Sequence, residues 1–350
     1  MKPVGIHEIA QLAKVSIGTV DRAMHGRSGI SETTRDKVLR IAKKHGYSPN
    51  PAARSLAVRR SQFRIGVCIP DEIRFFYDQM RSGIAEEARR ARSLGVEFIY
   101  RPVPSLGEKE QRELKGLLRE ELNGLIVVPG NPRVVRRLID EAEKKGVRVI
   151  CVSSDSPGSR RSTVVCVKPE LNGRLAAELL AKFTPDRKQF AVITGMLKTE
   201  DHRQKSAGFA EGLADYAPGH EIVAVVEAHE SERESFEKTR DLLKRNKDLG
   251  GIYVSTVNCL PVCWAIREHK QRPHLVTTDL FHEMVPYFEQ GIIDASIYQD
   301  PYSQGRNAVR ILVDHLVDKM PIARENFLNP GIVLRTNLRR FRETSFLETY

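Results

Sequence analysis

Ile6-His7-Glu8-Ile9-Ala10-Gln11-Leu12-Ala13-Lys14-Val15-Ser16-Ile17-Gly18-Thr19-Val20-Asp21-Arg22-Ala23-Met24 reads as two short amphipathic helices joined at Lys14-Val15-Ser16. Ser16 is placed to cap the second helix. Ile9, Ala10 and Ala13 form the inner face of the first, and Val20 with Ala23 or Met24 that of the second, at i, i+3, i+4 spacing. Helices this short need a third partner, and Thr33 to Lys44 supplies it, with Val38, Leu39, Ile41 and Ala42 turned inward. Three compact helices with a tight internal turn have the shape of a helix-turn-helix DNA reader. An ordinary helical hairpin would share the pattern, and charge separates the two. Residues 1–60 carry twelve Lys and Arg against four acids, which is +8 of the chain's net +11. A positive field on a small helical unit is the electrostatic footprint of phosphate binding.

The chain has 350 residues, 41% hydrophobic and 29% charged, with room for a small domain and a larger body of two lobes. No window holds the roughly 18 consecutive apolar residues of a membrane span, and the polar start predicts no signal peptide. Cys68, Cys151 and Cys166 lie in apolar runs and read as small core residues. Cys259 and Cys263 lack nearby His partners for a metal. The expected compartment is the reducing cytoplasm, and no cofactor is expected.

Asn50 with Pro51 can cap a short helix from Asn50 to Arg59, too few residues to be stable in isolation. The alternative is a plain linker, but Leu56 on a basic segment suits a side chain wedged between base steps in a minor groove. Beyond Phe63 apolar strands alternate with amphipathic helices, in one set ending at Val147–Val152 and a second opening at Thr163–Val167. This predicts two lobes, each a parallel sheet covered by helices, with ligands beyond the carboxyl ends of the strands. The fold expected is therefore a small all-α helix-turn-helix domain (1–48), a hinge helix and linker (49–62) and an α/β two-lobed body with parallel sheets (63–350).

The run Ile6–Ala13, Val15-Ser16, Thr19-Val20 and Arg22, followed by Tyr47-Ser48-Pro49-Asn50, Ala53, Leu56 and Ala57, resembles the lactose-repressor (LacI/GalR) family of bacterial transcription regulators. The body resembles the periplasmic sugar-binding fold that this family uses as a sensor. The resemblance implies a homodimer on a near-palindromic operator in double-stranded DNA. It places Ile17, Gly18 and Arg22 at base contacts, Ser16, Thr19 and Asn50 at phosphates, and Ala53 and Leu56 in the hinge helix. Arg22 suits a guanine, a contact worth roughly 1–3 kcal/mol. Two positions depart from the family: Gly18 offers no side chain where bases are read, and Asp21 puts a carboxylate near the backbone.

In the body, Phe75 and Phe76 resemble the aromatic pair that stacks on sugars in relatives, although one of them is equally well a core residue. Asp155 and Asp279 are strand-end carboxylates able to accept charge-assisted hydroxyl hydrogen bonds, and Asn258 and Gln299 are strand-end amides. Gln299-Asp300 falls at the expected lobe crossover. Where the family holds its ligand with an arginine three residues before a glycine, this chain has Lys205, with His202 and Arg203 upstream as substitutes. Together these features predict a transcription regulator, most simply a repressor, controlled by a small sugar or polyol. The alternative effector is a purine or a protein partner, and the acids favour a polyhydroxy ligand over an anionic one. A transporter's free sugar-binding protein is disfavoured by the basic reader. The sequence lacks GxSxG, HExxH and GxxxxGK[ST], so an enzyme is not expected. No leucine heptads follow Arg339-Arg340-Phe341, so a dimer is expected rather than a tetramer closed by a coiled coil.

Overall fold

The computed structural model of the chain describes residues 5–24, 30–47, 62–186 and 189–338, the side chain of Asp21 excepted. Near the N-terminus lie α1 (Ile6–Ala13), α2 (Ile17–Met24) and α3 (Glu32–Lys44). The turn between α1 and α2 is made by Lys14 in the left-handed region (φ +53°), which lets the Val15 amide return to the Ala10 carbonyl at 3.0 Å. Ser16 then caps α2, its Oγ accepting the Thr19 amide at 3.1 Å. Ile9, Ala10, Ala13, Val20, Ala23 and Val38 form one buried cluster, with Met24 and Ile41 packed at its edge. Leu39 differs from expectation. It is 39% exposed, because Val38, Ile41 and Ala42 already fill one stripe of α3 and Leu39 lies about 100° away from Val38 around the helix.

The body alternates β1 (Phe63–Cys68), α4 (Arg74–Arg92), β2 (Val96–Tyr100), α5 (Glu110–Leu117), β3 (Gly124–Val127), α6 (Pro132–Lys144), β4 (Arg148–Val152) and β5 (Thr163–Val167). It continues with α7 (Pro169–Phe183), β6 (Gln189–Thr194), α8 (Glu200–Tyr216), β7 (Glu221–Glu227), α9 (Glu232–Arg245), β8 (Leu249–Val254), α10 (Leu260–Glu268) and β9 (His274–Thr278). The described part closes with α11 (Val285–Glu289), β10 (Ala295–Tyr298), α12 (Pro301–Asp318), β11 (Glu325–Leu328) and β12 (Gly331–Val333). One six-stranded sheet runs β11-β5-β4-β3-β1-β2 and the other β12-β10-β9-β8-β6-β7. All pairings are parallel except β10 with β12. Each sheet thus has its second strand outside its first, which places a topological switch point between the first and third strands.

Thr163–Val167 was expected to open the second set of strands and instead belongs to the first sheet, where Cys151 pairs with Val164 and Val152 with Val165. All five of its residues are buried, and β4 on one side and β11 on the other provide that cover. The chain therefore passes between lobes three times: from β5 to α7, from β10 to α12, and from β11 to β12. In the second lobe α7 crosses α8 at two glycines. A Cβ on Gly173 would lie 2.1 Å from the Lys205 carbonyl oxygen, and one on Gly208 would lie 2.2 Å from that of Glu170. No backbone shift short of separating the helices accommodates such a contact. Gly173→Ala is therefore expected to lower stability by about 1–3 kcal/mol, read as a lower denaturation midpoint in urea. An unchanged midpoint would refute the close crossing.

Candidate ligand cleft and DNA-facing helix

The start of α2 presents Ser16, Ile17 and Gly18 to solvent, with Ile17 41% exposed despite being apolar. Ser16 and Thr19 share a hydroxyl hydrogen bond of 2.9 Å. Gly18 leaves room beside Arg22: a Cβ there would sit 3.9 Å from Arg22 Nη2. Arg22 is half-buried, with Nη2 beside Gly18 and Nε enclosed without a partner among the described residues. Asn50, Ala53, Leu56 and the side chain of Asp21 lie outside the described residues.

The body holds a small cleft, partly open to solvent, between the two sheets. Its lining comes from the carboxyl ends of strands in both sheets. Phe76 and Tyr77 follow β1, Ser153 follows β4, Glu230 follows β7, and Thr256 follows β8. Asp279 follows β9 and Gln299 follows β10, while Asp201, His202 and Lys205 stand on the first turns of α8.

Helical period explains which α8 residues enter. Asp201, His202, Lys205, Gly208 and Phe209 are buried on one face. Arg203 points away, 57% exposed, and pairs with Glu200. Lys205 Nζ lies 2.7 Å from Asp201 Oδ2. His202 accepts the Met196 amide at Nδ1 (2.9 Å), and its Nε2 lies 3.5 Å from Glu230 Oε1. Glu230 also accepts the Thr256 hydroxyl, at 2.8 and 2.6 Å to its two oxygens.

Asp279 adopts φ +66°, a left-handed conformation that Asp tolerates better than most residues. Its Oδ1 accepts the Gln299 amide at 3.1 Å and its Oδ2 accepts Gln299 Nε2 at 2.8 Å. Gln299 in turn accepts Asn172 Nδ2 at 3.0 Å, and its carbonyl accepts Gln304 Nε2 at 2.9 Å. Burial pushes the Asp279 carboxyl from the ordinary 3.8 up to about 6, against the opposing pull of Lys205 and the Gln299 donors. Burial likewise pushes the Tyr77 phenol well up.

Of the expected contacts, Phe76, His202, Lys205, Asp279 and Gln299 converge on the cleft. Phe75 does not. Its ring stacks on Phe281 with centroids 4.3 Å apart and bridges the lobes, beside a hydrogen bond from Gln79 Nε2 to the Leu280 carbonyl. Asp155 is bidentate to Arg161 and lines a separate cavity with Cys166 and Glu325. The reason is backbone: Ser153 takes φ +65° at the end of β4, enters the cleft itself and turns the following residues away. Asn258 donates to Ser235 Oγ at 3.2 Å, and its neighbour Thr256 faces the cleft instead. Asp201, Glu230 and Thr256 were not anticipated. Glu230 and Thr256 obey the same strand-end rule that pointed to Asp279.

Residues 5–50 match the family described as bacterial regulatory proteins of the lacI family, and residues 65–320 match the periplasmic binding protein domain. Catabolite control protein A of Staphylococcus epidermidis is 24% identical over 349 residues, covering 95% of this chain and 96% of that protein. Its namesake from Priestia megaterium is 26% identical over 254 residues, 72% of this chain and 74% of that one. Among solved structures, a Burkholderia graminis solute-binding protein in complex with D-arabinose superposes with TM-score 0.73 at 22% identity, over 82% of this chain and 98% of that chain. A Caulobacter myo-inositol binding protein bound to myo-inositol does so with TM-score 0.73 at 21% identity, over 80% and 96%.

The raised Asp279 carboxyl has a signed consequence. Between pH 4 and 6 the native state binds the proton more tightly than the unfolded chain, so this group's contribution to stability is full below about pH 4 and is lost as pH rises through about 6. Asp279→Asn removes that slope. Denaturant unfolding at pH 4.5, 5.5 and 7 should show wild type losing stability relative to the variant as pH rises, and parallel curves would contradict the assignment.

Proposed function

We propose that this DNA-binding transcription regulator, which belongs to the lacI family of bacterial regulatory proteins, is controlled by a small polyhydroxylated ligand held in the Asp279–Gln299 cleft. The observation that carries the reading is the set of buried hydrogen-bonding groups converging from strand ends of both sheets onto one aromatic-walled space. A carboxylate with two open acceptor positions suits a pair of adjacent hydroxyls, and the Phe76 ring suits the C–H face of a sugar. The sugar- and inositol-bound proteins of similar fold support the same class of ligand.

On this reading the protein acts as a homodimeric repressor on a near-palindromic operator. It catalyses no reaction on its effector. Ile17, Gly18 and Arg22 read bases, with Ser16 and Thr19 against phosphates, and Asn50, Ala53 and Leu56 belong to the hinge that joins reader to body. Among the described residues no helix is long and apolar enough to cross a membrane. Ligand shifts operator affinity only as far as it binds one lobe arrangement better than the other. Phe76 and Ser153 of the first lobe, set against Asp279, Gln299 and the α8 groups of the second, supply that difference, since the two sets meet one ligand only when the lobes are closed on it.

Two measurements test the two ends. In a thermal-shift screen of sugars, polyols and purines on the full chain, one polyhydroxy compound should stabilise saturably, and Asp279→Ala should abolish the shift. Stabilisation by a purine or a protein partner alone would overturn the ligand class. Arg22→Ala should cost about 1–3 kcal/mol of operator binding and relax base preference at one position per half-site. A uniform loss across sequences would make Arg22 a phosphate contact instead.

A further inference from the structure

The cleft holds more negative charge than a neutral ligand needs. Asp201, Glu230 and Asp279 all line it, and the cation facing them within the lining is Lys205, paired to Asp201 at 2.7 Å. The His202 ring is engaged on both sides, its Nδ1 accepting the Met196 amide at 2.9 Å and its Nε2 facing Glu230 at 3.5 Å. Asp279 is satisfied by neutral donors from Gln299, and Glu230 by the Thr256 hydroxyl and the His202 ring. Asp279 and Glu230 are thus hydrogen-bonded but have no lysine or arginine of their own among the lining residues, in a space that a bound ligand would seal from water. Burying charge without an opposite partner is costly.

Glu230 is held there against local resistance. Both His229 and Glu230 sit in the left-handed region, at φ +50° and +56°, and the Glu230 side chain is 3% exposed. Gly195 at the end of β6 makes room for it. A Cβ there would lie 1.7 Å from Glu230 Oε1 and 2.5 Å from His202 Cε1. A bare glycine, two residues at positive φ and the His202 ring together hold this carboxylate in the cleft.

From this we infer that the cleft selects a polyhydroxylated amine, an amino sugar or aminocyclitol, with Glu230 as the counter-ion of its ammonium group. The inference rests on the cleft being the polyol site proposed above. Asp279 and Gln299 then take the hydroxyls, and Glu230 takes the charge.

The test is calorimetric titration of the full chain at pH 7 with glucosamine, galactosamine and mannosamine, each beside its neutral parent hexose and its N-acetyl derivative. At least one free amine should bind about 30-fold or more tightly than both of its neutral counterparts. Glu230→Gln should shrink that preference to a few-fold. Gly195→Ala should do the same by displacing the carboxylate, and if it fails to fold the isosteric Gln variant decides alone. A neutral hexose binding as well as its amine overturns the inference and leaves the polyol reading standing. A preference that survives Glu230→Gln removes Glu230 from the role, and binding by none of the nine compounds overturns both readings for hexoses.

Discussion

The chain passes between the two sheets three times within a narrow strip, and the behaviour of the body follows from that. Two of those passages are tied to each other and to the cleft by one run of buried hydrogen bonds, from Asn172 on α7 to Gln299 to Asp279, with Gln304 of α12 holding the Gln299 carbonyl. Asn172 lies just past the first crossing and Gln299 just before the second. Asn172 Oδ1 and Gln304 Oε1 are buried without a partner among the described residues, so the strip is held by the bonds it does make. Any movement of one lobe against the other either pivots on this strip or breaks those bonds.

Placement of α8 is the second requirement. Asp201, His202 and Lys205 reach the cleft because the helix lies directly against α7, and it lies there because Gly173 and Gly208 carry no side chain. Charged groups in a half-open cleft are tolerated while water reaches them. Closure removes the water, and the resulting change in electrostatic free energy is available to favour one ligand and one lobe angle together.

Much of this was legible in the sequence. Period 3.6 gave way to short apolar runs at Phe63, which separated reader from body, and the strand-end rule found Asp279 and Gln299 without any contact information. Its failures have local causes. Asp155 follows a strand as Asp279 does, but Ser153 ahead of it turns left-handed and aims it at Arg161. Arg203 fell to the helical period and Leu39 to the width of a buried stripe. Glu230 satisfies the rule but carries no mark in the sequence, since nothing signals that His229 and Glu230, just beyond β7, both take positive φ. No pattern in a single chain announces that Gly195 is there to clear a path for a carboxylate thirty-five residues away.

The ring pair that bridges the lobes has a temporal meaning. Phe75 and Phe281 lie nearly parallel, 12° apart, and the Thr199 hydroxyl reaches the Gly130 carbonyl across the same divide at 2.8 Å. Parting the lobes breaks both contacts, so how often the cleft opens is set in part by how often these rings unstack, whatever occupies the cleft.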